Sequence, residues 1–277
     1  MLKISVITPS FNQAGFLDRT IDSVLTQDAP FALEHIVVDG GSTDGTVPLL
    51  RRRAEADGRL RWVSEPDEGQ ADALNKGLAL ADGDVIGWLN SDDLYQGGAL
   101  ACVAETFEAE PDCQWLYGRV NIIDAEGREI RRWITRYKTW RMRRFSYAKL
   151  LAENWISQMG VFWRAEAGRQ AGPFRTDLHW CMDYDFWLRL GRLYPGRFID
   201  RTLASFRWYP TSKSGGGFAQ QFREGFDVAR RAAAGRHRLA LLAHRLHAAK
   251  IIALYSLMAR LRRPGAAATT PPGREHP

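Results

Sequence analysis

Two adjacent acids, Asp92 and Asp93, close the run VIGWLNSDDLY at residues 85–95, directly behind a stretch apolar enough to be a buried strand. Side-by-side carboxylates repel each other and are costly to desolvate, so they need a cation or a hydrogen-bond network beside them. Oxygen donors of this kind suit Mg²⁺ or Mn²⁺, hard cations that keep several waters and bridge to substrate phosphates. A solvated turn is the plainer reading of the same residues. A second set of acids, Asp39 and Asp44, brackets the glycines of VDGGSTDGT, whose backbone N–H groups can come close to a ligand. A third pair, Asp183 and Asp185, opens MDYDFWLRLGRL, where a helix N-terminus favours acids. Residues two apart on a helix point about 200° away from each other, so only one of these two faces a given cleft. Neither a GxxxxGK[ST] loop nor a GxGxxG turn after the first strand is present, which takes support from nucleoside-triphosphate hydrolysis and dinucleotide binding.

These acids must be held by something, and the pattern of the first hundred residues supplies it. Short apolar runs at 4–10, 33–41, 60–66 and 84–93 alternate with helical patterns at 15–27, 42–56 and 69–81, the signature of βα units on an open parallel sheet. Each strand ends at a polar cluster: Ser10 to Asn12, Asp39 to Asp44, Asp67 to Gln70 and Asn90 to Asp93. In such a sheet the carboxyl ends of the strands lie along one edge, where ligands bind, so the four clusters are expected to converge. Farther on, 113–124 and 128–134 read as two hairpin strands and 182–193 as a helix. Residues 209–217 form a Gly/Ser loop, 218–263 a helix rich in Ala, Leu and Arg, and 264–277 a tail of disordered composition.

The 277 residues carry a net charge of +6 that is unevenly spread. Residues 1–127 hold 9 Lys/Arg against 22 Asp/Glu, 128–205 hold 16 against 7, and 206–277 hold 13 against 3. An acidic first half is a poor binder of nucleic acid and a plausible seat for a divalent cation; the basic remainder favours phosphates or an anionic membrane surface. Three cysteines, Cys102, Cys113 and Cys181, lack CxxC spacing and read as buried free thiols. With no long apolar window and no signal-peptide pattern, the expectation is a cytoplasmic protein without a membrane span.

Taken together, SVITPSFNQAGFLDRTIDSVLTQ, IVVDGGSTDGT, SEPDEGQADALNKGLALADGDVIGWLNSDDLY and MDYDFWLRL resemble the successive blocks of the family 2 glycosyltransferases over residues 3 to 213. The resemblance implies the GT-A fold: a Rossmann-like, mostly parallel sheet flanked by helices, here with a C-terminal helical extension. It implies a catalytic domain over 1–215, with a nucleotide-sugar half at 1–95 and an acceptor half at 96–215, followed by a helical segment at 216–263. Carried over residue by residue, it points to Pro9, Phe11, Asn12 and Asp39 for the nucleotide, with Asp39 reading the base, and to Gly69, Gln70, Asn75 and Lys76 completing that site. The family's DxD element falls on NSD, making Asp92 a nucleotide and metal contact with Asp93 beside it and Mn²⁺ or Mg²⁺ as cofactor. Asn90 stands where the first acid of that element often is. The base position fits Asp183, with Asp185 as competitor.

The implied reaction is transfer of one sugar, with inversion, from a nucleoside-diphosphate sugar to a hydroxyl of a saccharide or lipid-linked acceptor in cell-surface polysaccharide or glycolipid assembly. Lys213 or Arg207 would assist the leaving diphosphate, and Trp155, Gln158 and Trp163 would line the acceptor cleft. A QxxRW element of processive synthases is not present, and Tyr209 stands near the position of a histidine that sometimes binds metal. Two readings from other classes remain, a sugar-nucleotidyltransferase and a non-catalytic nucleotide-sugar-binding module. The C-terminal helix, with Leu239, Leu242 and Leu246 on one face among basic residues, either touches an anionic membrane or packs on the domain.

Overall fold

The computed structural model describes residues 1–27, 31–209 and 218–261. Its first half is the expected series of βα units: β1 (Lys3–Ser10), α1 (Ala14–Leu25), β2 (Ala32–Asp39), α2 (Thr46–Ala56), β3 (Leu60–Ser64), α3 (Gln70–Leu80) and β4 (Val85–Trp88). β1 pairs in parallel with both β2 and β4, and β2 pairs in parallel with β3. The order β3-β2-β1-β4 puts all four strand ends on one edge. Pro48 does not break α2, because it sits in the first turn, where a missing N–H costs nothing. α3 lies close against β1 because Gly77 is bare: a Cβ there would collide with the Ile7 side chain.

The second half continues the same sheet in mixed directions. β5 (Leu94–Tyr95) is followed by α4 (Ala99–Ala109), β6 (Trp115–Ile123), β7 (Glu129–Ile130), α5 (Arg132–Met142) and α6 (Tyr147–Ala152). A 3₁₀ turn at Gln158–Gly160 leads into β8 (Val161–Arg164), α7 (Ala165–Ala171), α8 (Met182–Leu193) and β9 (Arg197–Arg207). β8 runs antiparallel between β4 and β6, β9 runs parallel to β6, and β5 closes that edge against β9. The expected hairpin forms between β6 and β7. It is shorter than its sequence pattern, because Arg131 takes a left-handed conformation (φ 52°) and turns the chain into α5.

An aromatic cluster of Trp115, Tyr117, Trp155, Trp163, Phe186 and Trp187 fills the space between the sheet and α8. α9 (Phe218–Ala233) and α10 (Arg238–Leu261) form the C-terminal extension, which is two helices and not one. Ala234, Gly235 and His237 all have positive φ and break the run between them. α10 packs on the domain through buried His244, whose Nδ1 lies 2.8 Å from the Leu151 carbonyl, while Leu239, Leu242 and Leu246 stay exposed. Of the three thiols only Cys181 is buried; Cys102 and Cys113 are half-buried. Among the described residues, no helix is long and apolar enough to cross a membrane.

Candidate active site

The acidic pair lies in a turn that leaves β4, and distant parts of the chain hold that turn in place. The Thr20 hydroxyl on α1 sits 2.9 Å from the carbonyl oxygens of both Ser91 and Asp93. Asp93 is fully buried: Oδ1 accepts the Arg207 backbone N–H at 2.8 Å and Oδ2 accepts from the Asn90 amide at 3.0 Å. Burial and the neighbouring Asp92 charge push its carboxyl well above the usual carboxylate range. Asp93 therefore departs from the expectation of a second metal ligand, because both of its oxygens are committed to the fold.

Asp92 is half-buried, and its Oδ2 accepts from the Tyr209 hydroxyl at 2.9 Å. Desolvation raises the Asp92 carboxyl, and the bond to Tyr209 and the Arg207 charge partly offset that rise. The Tyr209 hydroxyl is pushed up to about 12, mainly by burial and then by Asp92. Arg207 is buried and cannot assist a leaving group. Its Nε donates to the Asp92 carbonyl, its Nη1 donates to the carbonyls of Asp124 and Ala125, and its guanidinium lies 4.9 Å from the Phe16 ring. Lys213 lies outside the described residues.

Asn90 is the hub of the site. Its Oδ1 accepts from Gln70 Nε2 at 2.8 Å and from Trp88 Nε1 at 2.9 Å, while Nδ2 donates to Asp93 and to Gln158 Oε1. An aspartate could not donate those last two bonds, which gives the departure from DxD a physical reason. Gln158 donates in turn to the Trp88 carbonyl, so it too is a strut of the acidic turn and not an acceptor contact. Trp155 is also corrected: it is fully buried, edge-on to Tyr117 with ring centroids 5.2 Å apart, and presents no face to a sugar. Trp163 is likewise core, packed against Phe186 and Trp187.

Among the residues expected at the nucleotide, Asp39 is buried at the end of β2. Its Oδ2 accepts from the Ser42 N–H at 2.9 Å and the Ser64 hydroxyl at 2.7 Å, and its Oδ1 accepts from the Ser42 hydroxyl. Asn12, in a left-handed conformation, joins the β1 and β2 loops by accepting the Thr43 N–H and donating its own N–H to Ser42 Oγ. Phe11, just past the end of β1, is 60% exposed, whereas Pro9 is buried within the strand. Gly69 precedes α3 at φ 108°, a conformation that favours glycine, and Gln70 begins the helix.

Two residues expected at the nucleotide do other work. Asn75 clamps the Phe174 backbone, donating to its carbonyl and accepting from its N–H at 2.9 Å each. Lys76 is held between Glu65 and Asp72 and bonds the Pro66 carbonyl, so it fastens the loop after β3.

At the start of α8 the two acids separate as helical geometry requires. Asp185 pairs with Arg189 at 2.9 Å, and Arg189 also donates to the carbonyls of Ala171, Gly172 and Pro173. Asp185 is thereby a structural acid. Asp183 is half-buried, and the Lys138 side chain, which donates to Ser157 Oγ, lies within its electrostatic reach. Ser157 and Gln158 are consecutive, so this short segment links the surroundings of Asp183 to the acidic turn. Glu224 on α9, which sequence reasoning did not single out, accepts the N–H groups of His179, Trp180 and Cys181 at 3.2, 2.7 and 2.6 Å and fixes the entry to α8.

Among the described residues no three His, Cys, Asp or Glu side chains gather as a metal cage. The donor set fits Mg²⁺ or Mn²⁺ only as a single carboxylate, Asp92, for a cation that completes its shell elsewhere.

Comparison with known proteins agrees with this architecture. The family model described as glycosyl transferase family 2 matches residues 5–165. An uncharacterised glycosyltransferase of Mycobacterium tuberculosis is 34% identical over 187 residues, covering 67% of this chain and 68% of its own. The chondroitin synthase of Escherichia coli is 27% identical over 198 residues, covering 72% of this chain and 28% of its own. Among solved structures, residues 1–349 of S. aureus TarS in complex with UDP-GlcNAc align with a TM-score of 0.67 at 16% identity, covering 85% of this chain and 67% of that one. The mannosyltransferase PcManGT of Pyrobaculum calidifontis, in complex with GDP-Man and Mn²⁺, aligns with a TM-score of 0.63 at 22% identity, covering 94% and 81%. The fold is GT-A, and relatives of the chain act in polysaccharide synthesis. With the match spanning more than half of its length, the chain belongs to glycosyl transferase family 2.

Proposed function

We propose that this glycosyltransferase moves one sugar from a nucleoside-diphosphate sugar to a hydroxyl acceptor with inversion at the anomeric carbon. The observation that carries the reading is the different placement of its acids: Asp93 is wholly buried and Asp185 is paired with Arg189, whereas Asp92, accepting from Tyr209, and Asp183, accepting from the Tyr184 N–H, are half-buried at the strand edge and at the start of α8. The base of the nucleotide would lie by Asp39 and the β1 and β2 loops, near the exposed Phe11 ring. Asp92 would hold Mg²⁺ or Mn²⁺ shared with the diphosphate, and the chemistry supplied by that cation when bound is neutralisation of charge on the departing group.

Asp183 takes the proton from the acceptor hydroxyl as the acceptor oxygen forms its bond to the anomeric carbon. The bond from that carbon to the diphosphate oxygen breaks with its electron pair going to the diphosphate. Approach from the face opposite the leaving group inverts the centre. Lys138, whose ammonium donates to Ser157 Oγ at 3.1 Å, lies near this acid, and burial lowers the lysine's own pKa. The acceptor is a saccharide or lipid-linked hydroxyl, and the exposed leucines of α10 support working at the inner face of a membrane.

A panel of UDP-, GDP- and dTDP-sugars with Mn²⁺, read by thermal shift and by released nucleoside diphosphate, tests this. Asp92→Ala should lose the metal-dependent shift, and Asp183→Asn should keep donor binding but not turnover. Normal turnover by Asp183→Asn rejects the base assignment, and donor binding without turnover by the parent favours a binding module.

A further inference from the structure

Helix α5 divides cleanly into an inner and an outer face. The outer face carries Trp133, Tyr137 and Trp140, which are 69%, 41% and 67% exposed, at the i, i+4, i+7 spacing of one stripe. Exposed arginines flank that stripe: Arg132, Arg136, Arg143 and Arg144. Residues 131–149 contain eight Lys/Arg and no Asp or Glu. Solvent-exposed tryptophan is expensive, and three aromatic rings in a row on a soluble surface mark a site of contact. Rings with a polar edge, set among arginines, are what the interface of a bilayer selects.

Just past the helix the charge is concentrated further. Trp140, Arg141, Arg143, Arg144 and Lys149 line a cavity of about 240 Å³. Arg141 is already paired with Glu153 and Arg143 lies 4.0 Å from Asp200, while Arg144 and Lys149 complete the ring of cations around the space. That chemistry is a receptacle for a phosphate headgroup.

The inner face of α5 runs along the candidate active site. Arg131, immediately before the helix, stacks on Trp208 at 3.7 Å, and Trp208 adjoins the Tyr209 that bonds Asp92. One and a half turns into the helix, Lys138 reaches Ser157 beside Asp183. A helix of 11 residues, about 16 Å long, therefore spans from the Asp92 side to the Asp183 side.

We propose that the outer face of α5, with its adjoining basic cavity, docks on an anionic phospholipid bilayer and so holds the active-site cleft at the membrane surface. This deepens the proposed transfer reaction by assigning its acceptor to the lipid-linked class, and on that point it rests on that reading. It also moves the principal membrane contact from the C-terminal helix to α5. The two helices approach each other at Glu153, which bonds Tyr137 and Arg141 and lies 3.9 Å from His247.

The test is flotation of the full chain, without donor, on phosphatidylcholine vesicles and on vesicles of phosphatidylcholine and phosphatidylglycerol in equal parts, with tryptophan emission read in parallel. Binding to the anionic vesicles alone, with a blue shift, is expected. Trp133→Ser/Trp140→Ser should abolish the shift, and Arg143→Glu/Arg144→Glu should weaken binding about tenfold or more. Both should melt like the parent, because every changed side chain is exposed. Leu242→Glu/Leu246→Glu on α10 should change binding by less than the α5 variants. Equal binding to both vesicles, unaltered binding by the α5 variants, loss with the α10 variant alone, or capture by soluble polyphosphate without vesicle binding would each overturn the proposal. Because no donor is present, failure here leaves the transfer reaction standing, and failure of transfer leaves vesicle binding measurable.

Discussion

Asn90 Nδ2 lies 3.0 Å from Asp93 Oδ2, a neutral donor placed against a fully buried carboxylate. Restoring an acid with Asn90→Asp would set two carboxylates against each other in a dry site. The expected cost is on the order of 2–4 kcal/mol where both acids are ionised, and it shrinks as pH falls and one proton is shared. Urea unfolding as a function of pH checks it.

The two acids of α8 should separate in a paired experiment. Asp183→Asn should lower kcat by about 10²–10⁴ with donor affinity kept. Asp185→Ala should lower stability by roughly 1–3 kcal/mol through the stranded Arg189, with much smaller effect on kcat in the folded enzyme. Equal kcat losses in the two variants would contradict the division of roles.

Glu224 reaches from α9 to cap the segment before Asp183. Glu224→Ala leaves three N–H groups without their acceptor and should cost about 1–3 kcal/mol. It should also lower kcat, because the start of α8 loosens, while donor binding at the far edge stays unchanged. Donor titration beside steady-state kinetics separates the two effects.

His35 is wholly buried on β2, with its Nε2 2.9 Å from the Thr8 hydroxyl, and desolvation holds its imidazole down to about 3. The folded chain thus refuses a proton that the unfolded chain accepts below about 6.5. Its contribution is fully present above that pH and is lost as pH falls from about 6.5 toward 3, amounting to a few kcal/mol in that window. His35→Leu should flatten the acid limb of the stability curve measured by denaturant titration.

The βα units were legible because each is local: an apolar run, a polar stop and an amphipathic helix can be read within some thirty residues. α8 falls on the residues its pattern marks, 182–193. What was not legible depends on distant partners. β9 carries Asp200 and Arg201 within it, which hides its alternation, and β6 is its pairing partner across the sheet. Arg207 reads as a functional cation and is instead a buried strut, and Trp155 reads as a sugar platform and is core. In both cases the residue type is compatible with either role, and burial decides.

Arg207 and Tyr209 also bear on the order in which the protein is made. They meet the Asp92–Asp93 turn from more than a hundred positions downstream, so while the first half is being synthesised that turn lacks two of its partners. The segment matching the family model ends at 165, before either residue and before Asp183. A fragment of residues 1–165 should give no donor-dependent thermal shift even if its sheet forms. On the ribosome, the growing chain lacks these partners of the acidic turn until the end of β9 and Tyr209 have emerged.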